Sequence, residues 1–440
     1  MTDHDAAPPA DNSSASASRR RAVVLGMLSF VYVLNFLDRQ LVSILAKPIQ
    51  DGLQISDSQL GRITGLYFAL FYCTIAIPVG WLADRTNRVK ILSIACGLWS
   101  AATVACGMAA NYGQLVVARM SVGIGEAGGV PPSYAIISDT FPRAQRGTAM
   151  GIFNLGPPIG SALGVAFGAS LAAAYDWRVP FYVVGAIGIV TAIIVAIVVP
   201  EPRRGQYDPA PPVADTATRS ESFGQAIRAF FANRLLAVAA LASGAANFIT
   251  YGLSNFATLF LMREKGMTLE QVAVWYALAV GLGMGAGIFV AGRLIDRFGA
   301  ANKSAYATIP ALSLLLALPF FLLFATVDSW ELALALLCVP LFLNSFFLPA
   351  TVTFVQNEVA PGARVISGAL LLLVMNLIGL GLGPTFVGMA SDHFRPEYGD
   401  HALQMAFYAL APMYLLAAVL FLWLARLIGR TAQPQGDRGE

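Results

Sequence analysis

The chain alternates between long apolar segments and short polar connections. Twelve apolar segments cover most of its 440 residues. They occupy residues 22–46, 59–82, 90–109, 114–137, 147–171, 179–199, 235–262, 270–292, 303–326, 331–355, 365–390 and 402–427. A helix rises about 1.5 Å per residue, so each segment is long enough to cross a hydrocarbon layer of about 30 Å. The pattern therefore predicts an all-α integral membrane protein with twelve transmembrane helices.

A polar, proline-containing stretch separates the twelve segments into two sets of six, and residues 223–231 within it form an amphipathic pattern. We expect each set to form one six-helix bundle, related to the other by pseudo-symmetry. The Ala-, Ser- and Pro-rich amino terminus cannot bury a core and is predicted to be disordered. The predicted domains are a cytoplasmic tail at 1–20, an N-terminal bundle at 21–200, a cytoplasmic linker at 201–233, a C-terminal bundle at 234–428 and a second cytoplasmic tail at 429–440.

The composition agrees with this class of protein. Hydrophobic residues make up 57% of the chain and charged residues only 12%, against about 25% charged in soluble domains. The formal net charge of +3 does not indicate nucleic-acid binding. The sequence contains no His-Glu-x-x-His motif and no Gly-Lys-Ser/Thr phosphate loop, and the four cysteines lie in apolar segments without metal-ligand spacing. We therefore expect no enzyme activity, no cofactor and no metal site.

Lysine and arginine distribute unevenly around the predicted spans. If the amino terminus is cytoplasmic, twenty of the 28 lie on the cytoplasmic side and six on the opposite side. Loops on the cytoplasmic side of membrane proteins carry such an excess. The count predicts that both termini are cytoplasmic. The two remaining arginines, Arg39 and Arg119, lie inside predicted spans.

The two halves repeat a short motif. Gly-Trp-Leu-Ala-Asp-Arg at 80–85 follows the second segment, and Gly-Arg-Leu-Ile-Asp-Arg at 292–297 follows the eighth. Asp84 is expected to accept hydrogen bonds at a helix start and to pair with Arg143 or Arg146, which would hold the cytoplasmic side closed. The predicted gating residues are Gly80, Asp84, Arg85, Arg88, Arg143, Arg146, Gly292, Asp296 and Arg297.

Four charged residues interrupt the apolar segments of the first half. Asp38 and Arg39 lie in the first segment, and Arg119 and Glu126 lie in the fourth. At about 1.5 Å per residue, all four fall in one depth band of the membrane. Charged groups at such depths face a bundle interior or a wet cavity and mark transport pathways. We expect Asp38 to pair with Arg119 and Arg39 to pair with Glu126.

These four residues are predicted to have two roles. Arg39 and Arg119 are predicted to bind substrate, because guanidinium groups donate paired hydrogen bonds to phosphate. Asp38 and Glu126 are predicted to couple protons, because the charge of a carboxylate responds to hydration and to a neighbouring arginine. A purely structural network is the alternative, although buried ion pairs stabilise proteins poorly.

Other polar positions inside the spans are candidates for the wall of the cavity. Additional substrate-binding residues are predicted at Tyr67, Asn154, Tyr251, Asn255, Asn344 and Asn376. The second half carries no Asp, Arg or Lys in the middle of a span. This asymmetry suits an anionic amphiphile whose headgroup binds the first half and whose tail lies along the second. In the fifth segment, Gly160, Gly164 and Gly168 at four-residue spacing predict close helix packing.

The sequence as a whole resembles the major facilitator superfamily, on the twelve segments and on the motif at 80–88. Within it, Asn-Phe-Leu-Asp-Arg at 35–39, Arg-Met-Ser-Val-Gly-Ile-Gly-Glu-Ala at 119–127 and Pro-Glu-Pro-Arg-Arg-Gly at 200–205 are similar to the spinster family of lysolipid and sphingolipid transporters. The resemblance implies the major facilitator fold, neighbouring first and fourth spans, and alternating access. It also implies a bacterial homologue located in the inner membrane.

The resemblance favours a proton-coupled secondary transporter of a lysophospholipid or a sphingoid phosphate. Anion–cation symporters of the same superfamily share the Asp-Arg pair of the first span, so a transporter of organic anions or sugar acids is the alternative, as is a drug/proton antiporter. A channel would require a charge ring or filter, and a membrane enzyme a nucleophile or metal set. The expected partners are protons, one small amphiphile and the bilayer, with no nucleic acid, and the expected state is a monomer.

Overall fold

The computed structural model describes residues 12–83, 85–207, 223–299, 301–359 and 364–432. Over these ranges the regular structure is helical. The helices of the first half are α1 Asn12–Ile44, α2 Ala46–Leu53, α3 Asp57–Thr64, α4 Leu66–Ala83, α5 Arg88–Met108, α6 Tyr112–Glu126, α7 Val130–Thr140, α8 Arg143–Phe153, α9 Gly156–Ala174 and α10 Val179–Val198.

A linker helix and the second half follow. The α-helices are α11 Phe223–Ala232, α12 Arg234–Arg263, α13 Leu269–Gln271, α14 Ala277–Gly299, α15 Ala305–Thr326, α16 Trp330–Leu343, α17 Phe347–Glu358, α18 Arg364–Met375, α19 Gly383–Tyr398 and α20 Ala402–Ala432. Two π-helical turns interrupt this half, at Val272–Tyr276 and Asn376–Leu382, and 3₁₀ turns lie at Asn344–Phe346 and Gly399–His401. π and 3₁₀ turns inside long helices often mark hinges or functional sites.

The helices account for twelve spans. Ten helical segments are long and apolar enough to cross a membrane, and one of them, Ile366–Arg430, is 65 residues long and holds two spans, α18–α19 and α20. The pair α6–α7, at residues 112–140, forms the remaining span. The prediction of an all-α membrane protein is confirmed for the described residues, and the helix bounds agree with twelve spans in two sets of six.

Two local expectations differ from the structure. Helix α1 begins at Asn12, so residues 12–20 are helical rather than disordered. These residues include two alanines, the strongest helix former, among four serines, and they lead directly into the first span. The fourth span, predicted as one helix, breaks over residues 127–129, where two consecutive glycines follow Ala127. The predicted linker helix is present as α11, whereas residues 1–11, 208–222 and 433–440 lie outside the described ranges.

The two halves pack through three pairs of spans: α1 on α12, α3 and α4 on α19 and its π turn, and α9 on α14. We call the end that carries the start of α1 and the end of α20 the terminal end, and the opposite end the distal end. A group of hydrogen bonds between described residues of the two halves lies toward the distal end. The molecule is therefore closed between its halves on that side.

Glycines allow α9 to pack directly against α1, as their spacing predicts. A Cβ atom at Gly164 would lie 2.8 Å from the carbonyl oxygen of Leu37, and one at Gly160 would contact the carbonyl oxygen of Val33. Both carbonyls belong to the backbone and cannot rotate away. This packing determines which face of α1, and therefore which of its polar side chains, points away from α9.

We expect Gly160→Ala to destabilise the protein by about 1–3 kcal/mol, because the methyl group overfills a backbone contact. The matched control is Gly26→Ala. Gly26 lies in α1, and a Cβ added there would have no heavy atom within 4 Å. Thermal unfolding of the purified protein in detergent measures both changes. An unchanged melting temperature for Gly160→Ala would show that the two helices can separate without cost.

Candidate functional site

The predicted charged residues of the first half form a buried cluster between α1 and α6. Arg39 Nε donates to Glu126 Oε2 at 2.5 Å, and the side chains are 11% and 0% exposed. This ion pair is the one that the common depth of the two residues predicts. Arg119 also lies in the cluster, with 2% of its surface exposed.

Close helix packing brings these charges together. A Cβ at Gly123 would lie 2.8 Å from the carbonyl oxygen of Phe68, and one at Gly125 would lie 2.6 Å from the backbone nitrogen of Trp99. The glycines therefore let α6 contact the backbones of α4 and α5 directly. Glu126, at the end of α6, is held by this packing at the level of Arg39.

Aromatic rings surround the Arg39 guanidinium. Its central carbon lies 5.0 Å from the ring centre of Phe36, 5.2 Å from that of Phe68 and 4.8 Å from that of Tyr72. Tyr251 of α12 interacts with the same guanidinium from the second half. Cation–π contacts stabilise a cation by about 0.5–2 kcal/mol each, and most when it is desolvated. The cluster therefore connects both halves of the molecule through one arginine.

The second predicted ion pair, between Asp38 and Arg119, is not formed. Asp38 is 1% exposed, and neither of its carboxylate oxygens has a hydrogen-bond partner among the described residues. Within the same described set, Arg119 Nε and Nη1 also lack partners, and its guanidinium stacks on Phe68 with a separation of 5.2 Å. The depth of the two residues was predicted, but their relative rotation leaves them as electrostatic neighbours. Buried polar atoms without partners are rare in proteins and occur at functional sites.

The other predicted substrate residues lie in different environments. Tyr251 reaches Arg39, and Asn255, one helical turn later, accepts from Ser43 Oγ at 2.6 Å across the two halves. Asn154 accepts from the Tyr134 hydroxyl at 2.7 Å. These three residues lie at or near the space between the halves.

The remaining three predicted substrate residues lie at contacts between helices. Asn344 donates to the Tyr414 hydroxyl at 3.0 Å and is 3% exposed, so it joins α20 to the turn after α16 inside the second half. Its Oδ1 has no hydrogen-bond partner among the described residues, so its role in substrate binding stays a prediction. Tyr67 interacts with the Tyr112 hydroxyl. Asn376 begins the π turn that packs on α4 and α12.

One of the predicted gating residues, Arg88, forms a buried cluster of charges at the terminal end. Arg88 is 4% exposed and pairs with Asp139 and, at 2.7 Å, with Glu201, all within the first half. The segment 200–205 folds onto this site, because Gly205 N donates to Asp139 at 3.0 Å. Sequence reasoning missed Asp139 and Glu201, although Glu201 belongs to the quoted motif at 200–205.

The structure describes most of the other predicted gating residues. Arg85 stacks on the Trp81 ring, and Arg146 Nε donates to the Phe141 carbonyl at 3.1 Å. A Cβ added at Gly80 or Gly292 would meet nothing within 4 Å. Asp296 and Arg297 are exposed at the end of α14, and Asp84 and the side chain of Arg143 lie outside the described residues. The gating role of the repeated motif therefore stays a prediction.

A third group of charged residues was missed by sequence reasoning. Asp57 on α3, Arg263 at the end of α12 and Asp392 on α19 meet between the halves at the distal end. Asp57 follows Ser56 and precedes Gln59, and this pattern is typical of an ordinary helix start. The capping box is in fact present, so the local signal concealed the long-range role.

Twelve spans in two halves, with a buried charged cluster at their centre, define a multi-pass integral membrane transporter. The chain belongs to the Major Facilitator Superfamily, whose sequence profile matches residues 28–377 and 275–440. Family and fold are those of transporters, and they imply a small-molecule substrate and a membrane environment.

Individual relatives show which members of the superfamily the chain is similar to. The chain is 31% identical to an MFS-type efflux pump of Mycolicibacterium smegmatis, over 97% of each chain. It is 29% identical to the sphingosine-1-phosphate transporter of Danio rerio, over 92% of this chain and 85% of the relative. A solved bacterial homologue of the human lysosomal transporter spinster, inward-facing and unoccupied, superposes with a TM-score of 0.87 at 29% identity, covering 95% and 99% of the chains. The predicted relation to the spinster family is confirmed.

Proposed function

We propose that the protein is a proton-coupled secondary transporter of an anionic, single-tailed amphiphile such as a lysophospholipid or a sphingoid phosphate. The observation that carries the proposal is the central cluster, in which Arg119 Nε and Nη1 have no hydrogen-bond partner among the described residues and lie beside the Arg39–Glu126 ion pair. Two guanidinium groups at one site match the geometry of a phosphate. The relative from Danio rerio is a sphingosine-1-phosphate transporter, and that lipid belongs to the same chemical class.

Asp38 and Glu126 are the proposed proton-coupling groups. Glu126 Oε2 binds Arg39, whereas its other oxygen and both oxygens of Asp38 lack hydrogen-bond partners among the described residues. Protonation of Glu126 would release Arg39, and protonation of Asp38 would remove a negative charge that acts on Arg119. A substrate phosphate could then replace the carboxylates as partner of the arginines, which links proton and substrate through charge balance.

A drug/proton antiporter is the second candidate. The relative from Mycolicibacterium smegmatis is an efflux pump and matches this chain over nearly its whole length. The aromatic rings around Arg39 would also bind a flat apolar or cationic compound. The two candidates differ in the charge of the transported headgroup. A transporter of organic anions or sugar acids differs from both in lacking an apolar tail on its substrate.

The proposed setting is the bacterial inner membrane, with a monomer as the transporting unit. The twenty-to-six distribution of Lys and Arg supports cytoplasmic termini, so the terminal end would face the cytoplasm and the distal end would face outward. Closure at the distal end then corresponds to an inward-facing arrangement, the state of the solved spinster homologue.

Reconstitution into liposomes tests the proposal. We expect saturable uptake of a radiolabelled lysophospholipid that follows an imposed pH gradient and is lost in Arg119→Gln. Arg430→Gln is the matched control, since Arg430 is exposed at the terminal end and has no predicted role in transport. Movement of a cationic dye without movement of the lysophospholipid would favour the antiporter. Movement of a sugar acid without movement of the lysophospholipid would favour the organic-anion symporter.

A further inference from the structure

The distal end of the molecule contains a buried ion pair that joins the two halves. Arg263 Nη1 and Nη2 donate to the two carboxylate oxygens of Asp57 at 2.7 and 2.8 Å. Asp57 is fully buried, and Arg263 is 19% exposed. Asp57 belongs to the first half and Arg263 to the second. A bidentate, charge-assisted contact of this kind is among the stronger polar interactions in proteins.

Further hydrogen bonds saturate the pair. Gln50 donates to Asp57 at 2.6 Å and accepts from Arg263 at 2.7 Å, and Ser391 Oγ donates to Asp57 at 2.7 Å. Every oxygen of the Asp57 carboxylate therefore has at least two donors. A buried ion pair repays its desolvation only when its remaining hydrogen-bonding capacity is satisfied in this way.

Asp392 adds a second connection between the halves. Its carboxylate accepts from the backbone nitrogens of Asp57 at 3.1 Å and Ser58 at 2.9 Å, and from Ser58 Oγ at 2.5 Å. These nitrogens are free donors at the first turn of α3. Asp392 thus caps a helix of the first half from the second half, at the helix end that attracts negative charge.

The backbones around this cluster are in direct contact. A Cβ at Gly388 would contact the carbonyl oxygen of Asp57, and one at Gly61 would contact the carbonyl oxygen of Pro384. A Cβ at Gly65 would lie 2.7 Å from the carbonyl oxygen of Gly381. Without side chains at these positions, α3 and α19 approach closely enough for the ion pair and the cap to form together.

We propose that Asp57, Arg263 and Asp392 form the distal lock, the contact that holds the outer side closed and that breaks once in each transport cycle. The lock rests on the proposed alternating access, but it concerns conformation rather than substrate. Each charged group of the lock keeps a partner in its own half when the halves separate. Asp57 keeps its hydrogen bond from Gln50 in the first half. Arg263 keeps the electrostatic attraction of Glu264 and Asp392 in the second half. Exchange of partners makes the contact reversible.

Distance measurements between the halves test the lock. The four native cysteines are replaced by alanine, and spin labels are attached at Ala110→Cys and Asp328→Cys, two exposed positions in distal loops of opposite halves. We expect one short distance in the otherwise unchanged protein. Asp57→Asn should add or enlarge a population at longer distance, because the amide keeps the shape of the carboxylate and loses the ion pair.

Asp51→Asn is the matched control. Asp51 pairs with Lys47 at 2.9 Å on the same distal surface, but both residues lie on or beside α2 within the first half, and they are 65% and 40% exposed. The lock predicts no change in distance for this variant. An equal shift in Asp51→Asn and Asp57→Asn would indicate a general effect of surface charge and would overturn the proposal.

Two further variants guard against a folding defect in Asp57→Asn. Arg263→Gln removes the other member of the pair, and Gly388→Ala separates the backbones without changing charge. Each variant that is monodisperse and retains its helical circular dichroism should show the longer distance. If all of the folded variants keep the short distance alone, the lock does not hold the halves together. No transported substrate is needed, so this failure is distinguishable from failure of the proposed function.

Discussion

Asp38→Asn is expected to abolish transport driven by a pH gradient while exchange of substrate for substrate continues. Asp38 is buried, and the positive charges of Arg119 and Arg39 act on its carboxylate. The amide has nearly the same shape but cannot take up or release a proton. The proposed carrier of the proton is thereby removed, while Arg39 and Arg119 remain in place to bind substrate.

Two assays on the same liposomes separate these outcomes. Uptake of labelled lysophospholipid under an imposed pH gradient should fall to the level of protein-free liposomes. Counterflow, in which unlabelled substrate inside exchanges with labelled substrate outside at equal pH, should remain measurable. Asp400→Asn makes the same chemical change at an exposed distal position and should leave both assays unaffected. Gradient-driven uptake that persists in Asp38→Asn would assign Asp38 a structural role.

Glu126→Gln is expected to weaken both folding and substrate binding. Glu126 is fully buried and binds Arg39 at 2.5 Å, so the variant leaves a buried guanidinium without its counter-charge. Removing one member of a buried ion pair costs about 3–5 kcal/mol. The aromatic rings of Phe36, Phe68 and Tyr72 compensate part of this cost through cation–π contacts.

A double-mutant cycle separates stability from function. Arg39→Gln combined with Glu126→Gln removes both charges, and we expect it to unfold at a higher temperature than either single variant, because residues in direct contact are energetically coupled. Binding of the lysophospholipid should not recover in the double variant, since it lacks one of the two guanidinium groups. Recovery of both stability and binding would show that the pair only supports the fold.

Much of the fold could be predicted from local sequence. Segment length and composition determine that a chain with so few charges forms twelve spans, because a spanning segment must be apolar and satisfies its backbone hydrogen bonds as a helix. The depth of Arg39 and Glu126 follows from the constant rise of a helix, and their ion pair was correctly predicted. The spacing of Gly160 and Gly164 likewise predicted a close contact, since helical periodicity places both on one face.

The orientation of helices about their own axes was decided by tertiary packing. Asp38 and Arg119 have the expected depths but do not form an ion pair, because the rotation of α1 and α6 depends on glycine contacts with α9, α4 and α5. Asn344 was predicted at the cavity, and its Nδ2 donates to the Tyr414 hydroxyl inside the second half. The sequence shows that Asn344 is polar, but it does not show which helix its side chain faces.

The distal lock illustrates the difference between what the sequence determines and what the tertiary structure determines. The sequence by itself determined the number of apolar segments, their two-fold repetition and the common depth of the intramembrane charges, all of which depend on residues close together in the chain. Only the tertiary structure decided that Asp57 meets Arg263 and that Asp392 caps α3, because these partners are separated by 206 and 335 residues. The physical reason is that helix geometry relates residues a few turns apart, whereas a contact between halves depends on how two separately packed bundles approach each other.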